Sequence, residues 1–292
     1  MSVNFELYKV FYYVASTLSF SEASRQLFIS QSAVSQAIKQ LEQKLECQLF
    51  FRTTKKISLT PEGEKLFRYI EPAINLINVG EAQMITEDPL VGGQLRIGAS
   101  DTICRYFLIP YIEKFHQKFP NVQISITNQT SKNCIGLLDN GQVDIVIVNY
   151  PNAQINSKYE LTELKSFKDV FLCGEKYRYL SEREVSIKEL ASLPLLVLDG
   201  NSSTSDFLKQ LFRKHRIQLV PEFELTSNDL LMDLTKIGLG ITFVPDYCLP
   251  EENTGLYNIR VSEQYDERKL VAVLNENLPV AATTREFIQL FL

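Results

Sequence analysis

Apolar residues recur every three or four positions over the first part of the chain, and beyond it they gather into short runs separated by polar turns. Leu7, Val10, Phe11, Val14 and Leu18 fall on one helical face, so a first helix ends near Ser19. Ser19-Phe20-Ser21-Glu22 has the spacing of a capping box and opens a short second helix that reaches about Leu27. Phe28 and Ile29 form a turn, and Ser30 can cap a third helix that buries Val34, Ile38, Leu41 and Leu45. The segment LFFRTTKKISLT then alternates around Thr53-Thr54-Lys55-Lys56, which predicts two short strands joined as a wing. Thr60-Pro61-Glu62 supplies a cap, a proline at the first helical position and an acid in the first turn, opening a long helix to about Thr86. Its stripe of Leu66, Ile70, Ala73, Ile74 and Ile77 is too wide for a connector in water and calls for a partner helix. Pro72 inside it removes one hydrogen bond and predicts a kink.

Leu90-Val91-Gly92-Gly93 reads as a hinge. Strand and helix patterns alternate from there: strands at 95–99, 122–127, 144–148, 159–164, 170–174, 195–198, 241–244 and 269–274, with helices at 103–119, 131–140, 187–193, 205–215, 229–237 and 281–292. The run Asp144-Ile-Val-Ile-Val148 has no polar alternation, as expected of a strand covered on both faces of a mostly parallel sheet. The fold class is therefore α/β after an all-helical, winged start.

The face of the third helix opposite its apolar stripe carries Gln31, Ser32, Ser35, Gln36 and Lys39, groups able to meet base edges or phosphate oxygens. Two helices joined by so short a turn form a helix-turn-helix, whose second helix enters the major groove of double-stranded DNA by its N-terminal end. A net charge of −5 argues against a nucleic-acid protein, but the charge is unevenly spread. Between Ser19 and Thr60 six bases face three acids, whereas the acids dominate from Pro61 to Leu90. Arg52, Lys55 and Lys56 on the wing suit phosphates.

In the α/β part, ligands are expected outside the carboxyl ends of the strands. Ser100 and Thr102 follow one strand, Thr130 and Ser131 precede a helix, Asn149 follows the buried strand, and Asn201, Ser202 and Ser203 lie between a strand and a helix. Each alone is an ordinary helix cap. Gathered at one sheet edge, hydroxyls and unpaired helix amides make a natural site for a small anion.

Enzymatic chemistry finds little support. His116 and His215 both sit on helical surfaces, and GxxxxGK[ST], GxSxG and HExxH are absent. Five scattered cysteines without a CxxC pair argue against both a disulfide framework and a zinc site, and no metal is expected. Cys104 and Cys134 adjoin pocket segments, which suits a thiol switch, but no basic cluster near either would lower its pKa, which favours inert burial. The opening residues do not resemble a signal peptide, and no run approaches the roughly 18 apolar residues of a membrane span, so a cytoplasmic protein is expected. A solute-binding transport protein would fit the last two hundred or so residues alone, but not the helix-turn-helix.

Residues 3–86, with SQSAVSQAIKQLE, LFFR and the LTPEG turn, resemble the N-terminal region of the LysR-type transcriptional regulators, and the likeness runs the length of the chain. The resemblance implies a winged helix-turn-helix at 1–60, a linker and dimerisation helix with hinge at 61–90, and a two-lobed effector domain at 91–292, like a periplasmic solute-binding protein of type II. Lobe I would take about 91–164 and 267–292, and lobe II about 165–266. It further implies a homodimer through the linker helix, often a homotetramer, an inverted-repeat promoter site, and RNA polymerase as a candidate partner, with no cofactor. Many members carry arginine where this chain has Gln36, so their base preference does not transfer. Peroxide-sensing members carry a cysteine pair near the Asn201 region, and this chain has none there.

Overall fold

The computed structural model of the protein describes residues 3–52, 57–85, 89–249 and 255–292. It divides into two compact units, Met1–Ile85 with Asp139–Gln142, and Thr86–Leu138 with Val143–Leu292.

The first unit follows the apolar periodicity. Helices α1 (Phe5–Thr17), α2 (Phe20–Gln26) and α3 (Gln31–Leu45) precede a two-stranded antiparallel wing, β1 (Phe50–Arg52) and β2 (Ile57–Leu59), and then α4 (Pro61–Ile85). Phe11, Val14, Ala23, Val34, Ile38 and Leu41 are fully buried together, and burial of each large member contributes about 1.5–3 kcal/mol. The expected capping box is half realised. Ser19 Oγ accepts from the Glu22 amide, but the Ser19 amide donates to Thr17 Oγ1 and the Glu22 carboxylate pairs instead with Arg25.

Helix α4 continues through Pro72 as one element. Its predicted stripe splits: Leu66 and Ile70, joined by Phe67, pack on the core of the unit, while Ala73 and Ile77 are exposed. With Tyr69, Leu76 and Met84, the exposed residues recur at helical spacing.

The second unit opens on α5 (Pro89–Gly92), a single helical turn within the segment read as a hinge. Then come β3 (Gln94–Ala99), α6 (Asp101–Ile103), a π-helical stretch Cys104–Leu108, α7 (Ile109–Lys118), β4 (Gln123–Asn128), α8 (Ser131–Asp139) and β5 (Ile145–Tyr150). The helix predicted over 103–119 is thus broken by a wider turn, in which the Ile109 amide reaches back five residues to the Cys104 carbonyl. The chain continues through β6 (Tyr159–Phe167), β7 (Asp169–Cys173), β8 (Glu184–Val185), α9 (Ile187–Leu190), β9 (Leu195–Leu198) and α10 (Ser203–Lys214). It closes with β10 (Phe223–Leu225), α11 (Asn228–Lys236), β11 (Ile241–Pro245), β12 (Tyr257–Val261), β13 (Arg268–Asn275) and α12 (Ala282–Gln289).

Two sheets result, ordered β4-β3-β5-β13-β6 and β10-β9-β11-β7-β12-β8. Only part of each is parallel, contrary to the mostly parallel sheet expected. β4, β3 and β5 run together, but β13 is antiparallel to both β5 and β6; likewise β10, β9 and β11 run together while β7 opposes β11 and β12. The reason lies in the connectivity. The chain passes from the first sheet to the second between Phe167 and Asp169 and returns between Val261 and Arg268, and the strand that follows each passage, β7 or β13, enters against the βα units.

Candidate functional site

Ser30 Oγ accepts from the Ala33 amide at 3.2 Å, so α3 begins in register with Gln31. Val34, Ile38 and Leu41 hold one face of α3 in the core, which leaves Gln31, Ser32, Gln36 and Lys39 exposed and Ser35 half-buried on the other. The first turn has no acid to repel a phosphate. Glu42 Oε1 accepts the amides of Leu49 and Phe50 at 2.9 and 3.4 Å, which ties the C-terminal half of α3 to the entry of the wing. Of the wing contacts expected, Lys55, Lys56 and the side chain of Arg52 lie outside the described residues.

In the second unit the carboxyl ends of β3, β4 and β5 face those of β9, β10 and β11 across a cleft of about 420 Å³. All eight polar residues singled out in the sequence, Ser100, Thr102, Thr130, Ser131, Asn149, Asn201, Ser202 and Ser203, line it. Capping and cleft lining coincide. Ser100, Thr130 and Ser202 accept from the amides of Ile103, Asn133 and Thr204, and Ser227 accepts from Leu230 in the same way. Ser131 Oγ accepts from the Asn149 amide, Thr102 Oγ1 from Asn228 Nδ2 at 3.0 Å, and Ser203 Oγ from Asn149 Nδ2 at 3.2 Å. Each of these seven hydroxyls therefore spends lone pairs on the protein and keeps its proton for something else.

No lysine or arginine lines the cleft among the described residues, while Asp101 and Asp199 do. Asp199 is engaged locally, accepting from the amide and side chain of Asn201. The bonds from Asn149 to Ser203 and from Asn228 to Thr102 run across the cleft, and each leaves an Oδ1 buried without a partner. Such bonds add about 0.5–1.5 kcal/mol net, so closure is held lightly.

Behind the cleft, Arg268 joins the two passages between the sheets. It is 1% exposed, donates to Asp169 Oδ2 at 2.9 Å and Thr204 Oγ1 at 3.1 Å, and adds a second bond to Ser203 Oγ at 3.0 Å. Its guanidinium lies between the rings of Phe167 and Phe207.

Residues 90–292 match the LysR substrate binding domain, and residues 5–64 match the bacterial regulatory helix-turn-helix protein, lysR family. The chain belongs to the LysR family. A probable RuBisCO transcriptional regulator of Guillardia theta is 31% identical over 247 residues, covering 82% of this chain and 78% of that protein. The HTH-type transcriptional activator CmpR of Synechocystis sp. is 26% identical over 247 residues, covering 84% and 80%. In fold, the chain is similar to full-length CbnR complexed with its target DNA, with a TM-score of 0.70 and 16% identity over 99% of this chain and 100% of that one. This LysR-family protein is a DNA-binding transcriptional regulator with an effector-binding domain, not an enzyme.

Several cleft residues of the LysR chain escape a reading of the sequence. Thr226, Ser227 and Asn228 follow β10, whose Phe223 and Glu224 are exposed and show no strand pattern, and Tyr247 follows the buried β11. Asp101 and Asn128 also line the cleft, beside hydroxyl residues whose capping spacing is the stronger signal. Burial pushes the Cys104 thiol up to about 11 and the Cys134 thiol up to about 12, away from the reactive thiolate. Among the described residues no helix is long and apolar enough to cross a membrane.

Proposed function

We propose that this regulator works in the cytoplasm as a homodimer, or a pair of dimers, joined through the exposed stripe of α4, and reads an inverted-repeat duplex site. In this reading Gln31, Ser32, Ser35, Gln36 and Lys39 meet bases and phosphates in the major groove, and Arg52, Lys55 and Lys56 hold the backbone. Gln36 is long enough to pair with an adenine edge, so Gln36→Ala is expected to relax discrimination at one base pair by about 1–3 kcal/mol. Lys55→Ala should weaken every sequence alike and lower the salt slope by about one unit. Selection from random duplexes at two salt concentrations, repeated with each variant, checks both; equal losses on all sequences for Gln36→Ala would remove it as a base reader.

The effector is a small oxyanion, such as a carboxylate, held by hydroxyls and backbone amides rather than by cations. The observation that carries this is the set of seven capping and bridging hydroxyls whose protons remain available at the cleft. Binding favours the closed cleft and so one arrangement of subunits on DNA, provided that the ligand has different affinity for the two states. Calorimetry with small dicarboxylates, phosphate and sulfate, against uncharged amides of matching shape, tests the class. The Thr102→Val variant keeps the shape and removes the hydroxyl, both its free proton and the acceptor for Asn228 Nδ2, and should lower affinity about 10-fold or more, as befits a hydrogen bond to a charged group. Binding of the amides in preference to the anions would reject an anionic effector.

A further inference from the structure

Helix α2 ends in a paired bond pattern: the Phe28 amide donates to the Arg25 carbonyl and the Ile29 amide to the Ser24 carbonyl. That motif places its next-to-last residue in the left-handed region, where glycine is usual because a Cβ there crowds the backbone. This chain has phenylalanine, at φ 55°. Left-handed residues other than glycine also occur at Leu18, Glu46 and Arg216, so strain alone does not single Phe28 out. Its side chain does. At 94% exposure it is the most exposed large apolar residue among those described, whereas Glu46 and Arg216 are charged and Leu18 is 43% exposed. A strained backbone that aims a bare aromatic ring into water gains nothing inside the subunit.

We infer that Phe28 is a DNA contact, its ring packing on the apolar wall of the groove that α3 enters. The inference rests on the proposed reading of DNA by α3. Phe28 lies two residues before Ser30, the cap at the end of α3 that points into the groove, so the turn stands at the groove edge. The apolar surfaces available there are deoxyribose carbons and the thymine 5-methyl group, and an aromatic ring fits either. A polar side chain at this turn would have served solubility; an apolar one serves contact.

Phe28→Asn separates folding from binding, because asparagine tolerates the left-handed region and removes the ring. The full-length variant is expected to melt no lower than the wild type, and to bind the duplex recovered by selection at least five-fold more weakly. A duplex with uracil in place of thymine tells the two apolar sources apart: if the substitution alone reproduces the loss, the methyl group is the contact, and if the variant loses as much on either duplex, the sugar is. Wild-type affinity in Phe28→Asn, with Gln36→Ala impaired, would overturn the inference and leave the reading by α3 standing. No loss in either variant would reject that reading as well. A smaller oligomer in sedimentation of Phe28→Asn would overturn it in favour of a contact between subunits.

Discussion

Arg268→Met should destabilise the α/β unit by about 3–5 kcal/mol, the cost of leaving one partner of a buried ion pair alone. Asp169 is fully buried, and its Oδ1 already lacks a partner, so loss of the guanidinium strands the remaining charge. Thr204 Oγ1 loses the donor it has in Arg268 at the same time, and Ser203 Oγ keeps only the bond from Asn149. The double variant Asp169→Leu with Arg268→Met should recover most of the loss, since methionine and leucine can fill the space between Phe167 and Phe207 without any charge. Denaturant unfolding of the four proteins gives the coupling directly, and a single-variant loss below about 1 kcal/mol would show the pair to be better solvated than its burial implies.

The pH dependence of Arg268→Met has a definite sign. Burial already pushes the Asp169 carboxyl above its usual range, against the pull of Arg268. Without that pull the folded protein holds the proton more tightly than the unfolded chain does. The variant is therefore most stable at low pH, and its stability falls as pH rises through the folded pKa.

Gly63→Ala should displace the start of α4 and abolish sequence-specific DNA binding while leaving the effector cleft intact. A Cβ at this position would lie 2.1 Å from the Leu49 carbonyl oxygen, a backbone atom that cannot turn away. The neighbouring bonds allow little retreat: Thr60 Oγ1 donates to the Gln48 carbonyl at 2.6 Å and accepts from the Gly63 amide at 3.0 Å. Overpacking of this kind costs about 1–3 kcal/mol or more, and here it falls on the junction of wing and helix. Gel-shift and calorimetric titrations on the same preparation separate the two units; unchanged DNA affinity would mean that the wing shifts without disturbing α3.

The helical unit was legible because its elements announce themselves locally. Ser19, Ser30 and Thr60 each cap the helix expected, and Val34, Ile38 and Leu41 face the core as their spacing requires. Ser100, Thr130 and Ser202 of the cleft were legible for the same reason, since a cap is written in the residues beside the helix it starts. What could not be read is what distance in the chain conceals. Asp169 and Arg268 meet across 99 positions, each looking like an ordinary strand-edge charge. The strands β8, β10 and β12 are only two to five residues long, and β8 and β10 carry no alternation, so these edge strands of the second sheet left no pattern long enough to read. The left-handed turn at Phe28 is invisible as well, because nothing in a phenylalanine signals a positive φ.

A cleft that offers hydroxyl protons and, among the described residues, is lined by no formal charge but Asp101 and Asp199 has no cation in its walls to draw an anion inward. Its encounter rate should barely change between dilute buffer and concentrated salt, or rise slightly as the two carboxylates are screened, whereas binding to a polyanionic duplex collapses over the same range. In a cell under osmotic stress the protein would go on sensing its effector while releasing its promoters, so ionic strength acts as an override on the output but not on the input.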